Sequence, residues 1–289
     1  MDQQPLLCIY HANCLDGFTA AWAVWKRFPD TEFYAGHYQE PPPDCSGREV
    51  VMVDFSYKRP ELLDIASKAN SVLILDHHRS AEAQLQDLPV NVIAEFDMER
   101  SGAMMAWNHY HPGENPGWLV AHVQDRDLWR FDLEHTKAFT AFLYSKDFDF
   151  ELWNEIDADI RQSMSHYLDY VRLGQVLELK HAKDVKALIK VGATRKNVAG
   201  FEVPCLNAPF LYASEAGNRL CAGESFSVTW YDTGQHRVYS LRSDEQGEDV
   251  STIAAQFGGG GHRHAAGFTL PGETLHAQLK LTEIKDSEV

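Results

Sequence analysis

The first ~130 residues alternate between short apolar runs and stretches in which apolar residues recur every three or four positions. The short runs predict strands, and the longer spacing predicts helices. Five strands are predicted, at residues 6–11, 33–38, 49–56, 71–78 and 91–96. Three helices are predicted, at residues 19–28, 60–69 and 101–110. Because helices separate the strands, this order favours a mostly parallel sheet with crossover helices.

Residues 151–190 show a longer helical pattern with little turn chemistry, which predicts an amphipathic helical connector. Beyond Gly192 the chain returns to strand patterns, at residues 201–208, 225–232, 236–243 and 265–270. The predicted fold class is therefore α/β. A mostly parallel sheet with flanking helices occupies residues 1–150, a helical connector residues 151–190, and a smaller α+β domain residues 191–289.

The charge balance limits the partners that this chain can bind. It has 289 residues, with 26 basic and 42 acidic side chains and a formal net charge of −16. Proteins that bind long nucleic acids rely on Lys and Arg to neutralise phosphates, so we expect no long nucleic-acid partner. A small anionic substrate in a local pocket is compatible with this charge, above all where bound cations reverse the local field.

The five cysteines form no C-x-x-C pair and leave an odd one unpaired. This pattern argues against a disulfide framework and predicts a reducing, cytoplasmic location. The N-terminal residues lack the basic region of a signal peptide, and no apolar run approaches ~18 residues. We therefore expect neither a signal peptide nor a membrane span.

Polar residues follow three of the predicted strands at the point where each strand ends. His11 closes the first strand, Asp54 follows the third, and Asp76, His77 and His78 close the fourth. Any one of these positions is explained by an ordinary polar strand end. Because ligands bind outside the carboxyl ends of strands in open α/β sheets, three such positions together favour a site.

Two further segments add carboxylates to this set. Asp16 lies a few residues after His11, where it can also be read as a helix cap. Asp125 and Asp127 follow another apolar stretch, within residues 120–131. A D-R-D segment can be a self-compensating surface cluster, and we expect at least one of the two to be of that kind.

Several carboxylates in one place repel each other unless cations neutralise them. An oxygen-rich set with one or two histidines suits Mn²⁺ or Mg²⁺, whereas structural zinc favours Cys and a closed tetrahedral shell. A carboxylate shared by two ions would give a two-metal centre, which lowers the pKa of bound water from 15.7 toward ~7.

A glycine run lies at residues 258–261, between an apolar helix-like segment and a strand-like segment. A flexible linker is the common reading of such a run. Between ordered elements, its backbone N–H groups can instead approach phosphate oxygens closely. His262 and His264 stand beside it, and upstream Arg242 and Ser243 are further candidate phosphate contacts.

Together, the triplet at residues 76–78 and the segment GGGGHRHAAGF, at residues 258–268, resemble the DHH phosphoesterase superfamily with a C-terminal DHHA1 domain. The likeness covers nearly the whole chain. The segments YHANCLDGFTAAW and DRDLW are similar to the exopolyphosphatase-related, nanoRNase-like subgroup.

The resemblance implies two Mn²⁺ ions, with Mg²⁺ or Co²⁺ as substitutes, in the first domain. It implies as metal ligands His11, Asp16, Asp54, His77 and Asp125, with Asp54 bridging both ions. Asp76 would orient a ligand and His78 would face the phosphate. In the second domain, the residues implied to hold substrate are Gly259, Gly260, Gly261 and His262.

One position departs from the family pattern. The first motif usually has two aspartates as D-x-D, and Cys14 replaces the first of them here, with Asn13 beside it. The thiolate can still serve as a ligand, Asn13 can offer its carbonyl, or the metal site at this position can be weaker. Because Mn²⁺ disfavours thiolate, Asn13 or water is favoured.

The resemblance and the charge lead us to expect a Mn²⁺-dependent phosphoesterase acting on short oligoribonucleotides or on linear or cyclic dinucleotides. Alternatives are an exopolyphosphatase or a 3′-phosphoadenosine phosphate phosphatase. A pyrophosphatase-like enzyme is disfavoured by the glycine-rich segment. A non-catalytic nucleotide sensor is the alternative of a different class. For assembly, a homodimer is one option.

Overall fold

The computed structural model describes residues 6–38, 40–233 and 236–271. The chain divides into two compact units, Met1–Lys180 and His181–Val289. The strands of the first unit are β1 (Leu7–His11), β2 (Glu32–Gly36), β3 (Glu49–Val53), β4 (Ser71–Asp76) and β5 (Val92–Phe96). Its helices are α1 (Leu15–Arg27), α2 (Arg59–Lys68), α3 (Arg79–Gln84), α4 (Gly102–Tyr110), α5 (Gly117–Asp127), α6 (Thr136–Leu143) and α7 (Phe150–Gln162). Helix α8 (Met164–Gly192) begins in the first unit and ends in the second.

The five strands of the first unit form one sheet in the order β2-β1-β3-β4-β5, and every neighbouring pair is parallel. The predicted parallel sheet with flanking helices is thus confirmed. The strand order reverses direction between β1 and β3. In open α/β sheets, such a reversal opens a crevice at the carboxyl ends of the two strands.

Alternate residues of the strands pack on opposite faces of this sheet, as the two-residue period of a strand requires. On one face, Ile9 and Met52 are buried with Leu62 of α2. On the other face, Val51 is buried with Trp22 of α1 in a larger cluster that also includes residues of α4 to α8. The sheet is therefore covered on both sides, which agrees with its apolar strands.

The region predicted as a connector contributes to the core of the first unit. Trp153 of α7 and Tyr167 and Val171 of α8 are buried in the same cluster as Trp22. The indole N–H of Trp153 donates to the Thr19 hydroxyl of α1 over 3.1 Å. The region is helical as predicted, and the division between the units falls inside it, after Lys180.

The second unit contains six strands and two helices in the part of the chain that is described. Its strands are β6 (Thr194–Val198), β7 (Phe201–Asn207), β8 (Ser227–Asp232), β9 (His236–Arg242), β10 (Gly260–His262) and β11 (Ala265–Pro271). Its helices are α9 (Phe210–Leu220) and α10 (Val250–Ala255). The sheet order is β10-β11-β9-β8-β7-β6, with only the β7–β8 pair parallel. This mixed sheet with separate helices confirms the predicted α+β arrangement.

The pattern of the sequence does not reveal β6, α9 or β10. Strand β6 is almost entirely exposed and carries only one apolar residue, so it lacks the alternation that predicts a strand. Strand β10 lies within the glycine run and pairs with β11. None of the helices in residues 6–271 that the structure describes is both long and apolar enough to cross a membrane.

Replacing Trp153 tests whether α7 is part of the core of the first unit. We expect Trp153→Ala to lower the free energy of unfolding by about 3–5 kcal/mol, because a fully buried indole leaves a cavity. Leu179→Ala is the matched control on α8, since Leu179 is 73% exposed; its cost should stay within about 0.5 kcal/mol. Urea denaturation followed by circular dichroism measures both. Equal, small losses would contradict the assignment of α7 to this core.

Candidate metal centre

The cluster of ionisable side chains lies at the carboxyl ends of the three adjacent strands β1, β3 and β4. His11 is the last residue of β1, Asp54 directly follows β3, and Asp76 is the last residue of β4. Their proximity follows from the strand order, because β1 pairs with β3 and β3 pairs with β4. The crevice between β1 and β3 is therefore lined by His11 and Asp54.

Asp54 occupies the centre of this cluster. Its backbone is left-handed, with φ of 53°, although its amide still donates to the Leu75 carbonyl over 2.9 Å. One carboxylate oxygen lies 3.0 Å from His77 Nε2 and the other 3.4 Å from His11 Nδ1. Burial alone would raise the pKa of Asp54, but the two imidazoles outweigh it and hold this pKa well below its ordinary value. Asp54 is therefore an anion that two histidines contact from different sides.

Asp16 joins the first turn of α1 to the first turn of α4. Its carboxylate accepts hydrogen bonds from the backbone N–H groups of Gly102 at 2.6 Å and Ala103 at 3.1 Å. Gly102 is needed here because an added Cβ would lie 2.3 Å from the Asp54 Cβ. Burial, together with the charges of Asp127 and Asp54, raises the pKa of Asp16 well above its ordinary value. The N-terminus of α4 thus fixes a carboxylate that its neighbours repel.

His77 brings three carboxylates together at one ring nitrogen. Its Nε2 lies 3.0 Å from Asp54, 3.4 Å from Asp127 and 3.8 Å from Asp16. Burial lowers the pKa of His77, but these three charges outweigh it and raise the pKa to about 10. Burial also raises the pKa of Asp127, while His77 opposes that shift. One imidazolium can compensate only part of this negative charge.

The structure places Asp125 outside the group of carboxylates that surrounds His77. The Asp125 carboxylate accepts from the amides of Asp132 and Leu133, at 2.9 and 3.1 Å, and from the Thr136 hydroxyl at 2.5 Å. These contacts fix the loop after α5 and occupy both oxygens. Asp127, two residues later in the last turn of α5, is the side chain that reaches His77. The apolar stretch before these two residues is part of helix α5.

Asp76 and His78 form a second pair beside the cluster. Asp76 is fully buried and accepts from the Ser56 hydroxyl at 2.5 Å and from the His77 amide at 2.8 Å. Its Oδ1 also lies 2.7 Å from His78 Nδ1. Burial lowers the pKa of His78, but the Asp76 charge and hydrogen bond outweigh it and raise this pKa. Asp76 therefore sets the orientation of the His78 ring, with Nε2 on the side away from Asp76.

Two overlapping groups of side chains have the composition of a metal site. The ligand atoms of His11, Asp54 and His78 lie within 4.8 Å of one another, and so do those of Asp16, Asp54 and His77. Asp54 belongs to both groups. Carboxylate oxygens with one or two imidazoles suit Mn²⁺ or Mg²⁺. The donor set therefore fits two divalent ions that share Asp54.

Cys14 and Asn13 lie at the start of α1. Cys14 is the residue that precedes the helix, and Asn13 is exposed with a left-handed φ of 54°. Burial and the charges of Asp54, Asp127 and Asp16 raise the pKa of the Cys14 thiol well above its ordinary value. Without a cation, these surroundings favour the neutral thiol over the thiolate. A ligand role for Asn13 stays a prediction.

The predicted phosphate contacts lie in the second unit. The resemblance implies that Gly259, Gly260, Gly261 and His262 hold substrate, and in the structure residues 260–262 form β10, which pairs with β11. An added Cβ at Gly259 would lie 2.1 Å from the Gly267 carbonyl oxygen, so this glycine serves close packing. Arg242, at the end of β9, donates to the Ser214 hydroxyl over 2.8 Å, and burial lowers its pKa to about 10. Phosphate binding by these residues stays a prediction.

The sequence alone does not identify three residues of the cluster region as members of the site, namely Asp127, Ser56 and Gly102. The apolar pattern does not separate Asp127 from Asp125, although the helical period of α5 separates their directions by about 200°. The sequence signal that could have identified Ser56 is its position near the end of a strand, two residues after Asp54. Gly102 follows Ser101, whose side chain caps α4 by accepting from the Met104 amide. A Ser-Gly pair before an apolar run is a helix start, which gives no hint of contact with Asp16.

A comparison with protein-family models gives no match. An uncharacterized protein of Acanthamoeba polyphaga mimivirus is 32% identical over 293 residues, covering 91% of this chain and 67% of that protein. Because it covers 91% of this chain, the alignment includes residues of both units.

Among solved structures, the DHH domain of a member of a family of ribosomal proteins has a TM-score of 0.54 at 14% identity, covering 96% of this chain and 85% of that one. An exopolyphosphatase-related protein from Bacteroides fragilis has a TM-score of 0.50 at 14% identity, covering 96% and 90%. RecJ from Thermus thermophilus, in complex with Mn²⁺, has a TM-score of 0.50 at 14% identity, covering 95% of this chain and 51% of RecJ. The chain therefore belongs to the same family as the mimivirus protein, and its fold is that of the DHH-domain proteins.

Proposed function

We propose that this chain is a metal-dependent phosphoesterase that hydrolyses small phosphate-containing substrates. The observation that carries the proposal is the convergence of Asp16, Asp54 and Asp127 on one nitrogen of His77. Within the described residues, no Lys or Arg forms an ion pair with these three carboxylates. A cluster of this charge in a buried crevice is suited to divalent cations.

The residues that would hold these ions are His11, Asp16, Asp54, His77 and Asp127, with Asp54 common to both. His78 also lies near His11 and Asp54, and we assign it to the substrate phosphate instead of to a metal ion. Mn²⁺ is favoured, with Mg²⁺ or Co²⁺ as substitutes, because the donors are mainly oxygen with some imidazole. When bound, a pair of such ions supplies a hydroxide-like water near neutral pH and stabilises the attacking and leaving oxygens of a phosphoryl displacement. The Mn²⁺ complex of Thermus thermophilus RecJ supports this choice of metal through the shared fold.

The protein's own groups bind and orient the substrate in this proposal. His78 presents its Nε2 away from Asp76, where it can donate a hydrogen bond to a phosphate oxygen. The buried Asp76 carboxylate keeps the proton on Nδ1 and favours the cationic ring. Ser56 holds Asp76 in turn. This chain of contacts positions a charged donor beside Asp54.

Among small substrates, we favour short oligoribonucleotides or linear and cyclic dinucleotides over polyphosphate. The net charge of −16 opposes long polyanions, whose binding depends on many basic residues. Arg242 of the second unit is kept as a proposed phosphate contact, and its guanidinium donates to the Leu241 carbonyl and the Ser214 hydroxyl. We also propose a reducing, cytoplasmic location, because the five cysteines form no C-x-x-C pair and leave an odd one unpaired.

Paired Asp→Asn variants test the composition of the metal centre. We expect Asp127→Asn to lower kcat/KM for bis-p-nitrophenyl phosphate with Mn²⁺ by at least about 100-fold, because it removes a proposed ligand. Without metal, its melting temperature should stay the same or rise, since one of three mutually repelling carboxylates is gone. The increase in melting temperature that Mn²⁺ gives the wild type should be reduced.

Asp125→Asn is the matched control two residues away. It should lower the metal-free stability by about 1–3 kcal/mol, because its carboxylate accepts from three donors, and an amide cannot satisfy all of them. The folded variant should keep the increase in melting temperature that Mn²⁺ gives the wild type. Loss of the Mn²⁺ response in Asp125→Asn, with a full response in Asp127→Asn, would restore the assignment made from the sequence.

Asp76→Asn tests the positioning of His78. The variant keeps the shape of the side chain but removes the charge beside Nδ1, so we expect kcat to fall roughly 10- to 100-fold while Mn²⁺ affinity changes little. Ser56→Ala, which removes one of the bonds to Asp76, should lower kcat by a smaller factor. An Asp76→Asn variant with wild-type kcat would argue against a role for His78 at the phosphate.

A direct comparison of pGpG, 3′-phosphoadenosine phosphate and tripolyphosphate tests the substrate class. We expect the highest kcat/KM for pGpG, by at least about tenfold, because pGpG, with one phosphate monoester and one diester, carries less negative charge than the other two and the protein has a net charge of −16. A preference for tripolyphosphate would identify an exopolyphosphatase instead. Tight nucleotide binding without any turnover would identify a sensor and contradict the proposed enzyme.

A further inference from the structure

A cation–aromatic group adjoins the proposed metal ligand Asp127. The guanidinium carbon of Arg126 lies 5.6 Å from the centre of the Trp129 ring and 5.3 Å from the centre of the Tyr144 ring. Arg126 thus lies within cation–π distance of two aromatic side chains that belong to different segments of the first unit. We call Arg126, Trp129 and Tyr144 the aromatic clamp.

The backbone holds Trp129 in a conformation that a bulky residue rarely adopts. Its φ is 56°, in the left-handed region, and Phe131 has the same φ. The Trp129 amide donates to the Arg126 carbonyl over 2.9 Å, and the Arg130 amide donates to the Asp125 carbonyl over 2.9 Å. A strained backbone persists only where its surroundings hold it, and such positions concentrate at functional sites. The structural role of Asp125 is therefore to fix the loop that carries Trp129.

The clamp offers both an aromatic surface and a positive charge. Trp129 is 38% exposed and Tyr144 50% exposed, although both are large aromatic residues. Arg130 pairs with Glu99 at 2.8 Å, whereas Arg126 forms no such pair with a carboxylate in the described part of the chain. The guanidinium of an arginine beside aromatic rings can donate hydrogen bonds to phosphate oxygens.

The clamp borders the metal centre on the side of Asp127. Asp127 follows Arg126 directly and lies 3.4 Å from His77. A substrate phosphate at the metal centre would therefore place its neighbouring chemical group within reach of the clamp.

We propose that the aromatic clamp is a nucleotide subsite, in which Trp129 stacks on a nucleobase and Arg126 binds the phosphate attached to that nucleoside. Every nucleobase has an aromatic face, so stacking of this kind accepts different bases. A bare polyphosphate has no group that could use the Trp129 ring. The inference rests on the proposed phosphoesterase function and narrows its substrate to phosphodiesters that carry a nucleoside.

Two chromogenic esters that differ only in the nucleoside test this subsite. Thymidine 5′-(4-nitrophenyl phosphate) carries a base, and methyl 4-nitrophenyl phosphate does not, while both release 4-nitrophenol. With Mn²⁺ and the full chain, we expect Trp129→Leu to lower the ratio of the two kcat/KM values, nucleoside ester over methyl ester, by roughly tenfold. Trp129→Phe should retain most of the ratio because it keeps an aromatic face. Arg126→Met should raise KM for both esters, since both contain the phosphate.

The ratio is independent of the fraction of enzyme that is folded, so a destabilised variant still tests the subsite. Phe28→Leu is the matched control, because Phe28 is 44% exposed but follows the end of α1 remote from Asp16; it should keep the wild-type ratio. An unchanged ratio in Trp129→Leu would overturn the stacking role, and a change of KM for the nucleoside ester alone in Arg126→Met would overturn the phosphate role. A wild type that hydrolyses neither ester would instead refute the proposed function.

Discussion

The repulsion among Asp16, Asp54 and Asp127 is the constraint on which the rest of this site depends. Two carboxylates whose oxygens lie within 4.8 Å of each other, as in the group that contains Asp16 and Asp54, repel by roughly 3–4 kcal/mol at an effective dielectric constant of 20. One imidazolium at His77 offsets part of that energy. The rest of this repulsion must be offset by other groups of the protein or by bound cations.

Backbone groups of the protein offset part of the repulsion among these carboxylates. Helix α4 directs two N–H groups at Asp16, and Gly102 lets the start of this helix approach Asp54. These contacts belong to elements far apart in the chain, so the acidic cluster is built into the architecture. A cluster that is only partly compensated by protein groups retains affinity for divalent ions, which is the physical basis of the proposed function.

Much of the fold followed from local patterns in the sequence. The five parallel strands are short apolar runs, such as Val72–Leu75, and the position of each strand end placed His11, Asp54 and His77 at the same edge of the sheet. The order of the strands in the sheet, on which this convergence depends, is not determined by local sequence patterns. Parallel pairing and crossover handedness only reduce the number of possible orders.

The sequence could not separate Asp125 from Asp127, because both follow the same apolar stretch and differ only in direction around α5. Their roles depend on the loop that folds back over Asp125 and on Thr136, neither of which has a local signal. The structure of the glycine run could not be predicted either, because a run of glycines has the same composition in a turn and in a short strand. In both cases, contacts between distant residues determined the outcome.

The number of Mn²⁺ ions bound per chain is the measurement that tests the central claim most directly. Equilibrium dialysis of the metal-free protein should give two ions for the wild type, because Asp54 is shared by two groups of ligands. In Asp54→Asn, both ions should bind more weakly, since each loses a common ligand. Binding of no Mn²⁺ by the wild type, or an unchanged affinity and stoichiometry in Asp54→Asn, would contradict a metal centre built around Asp54.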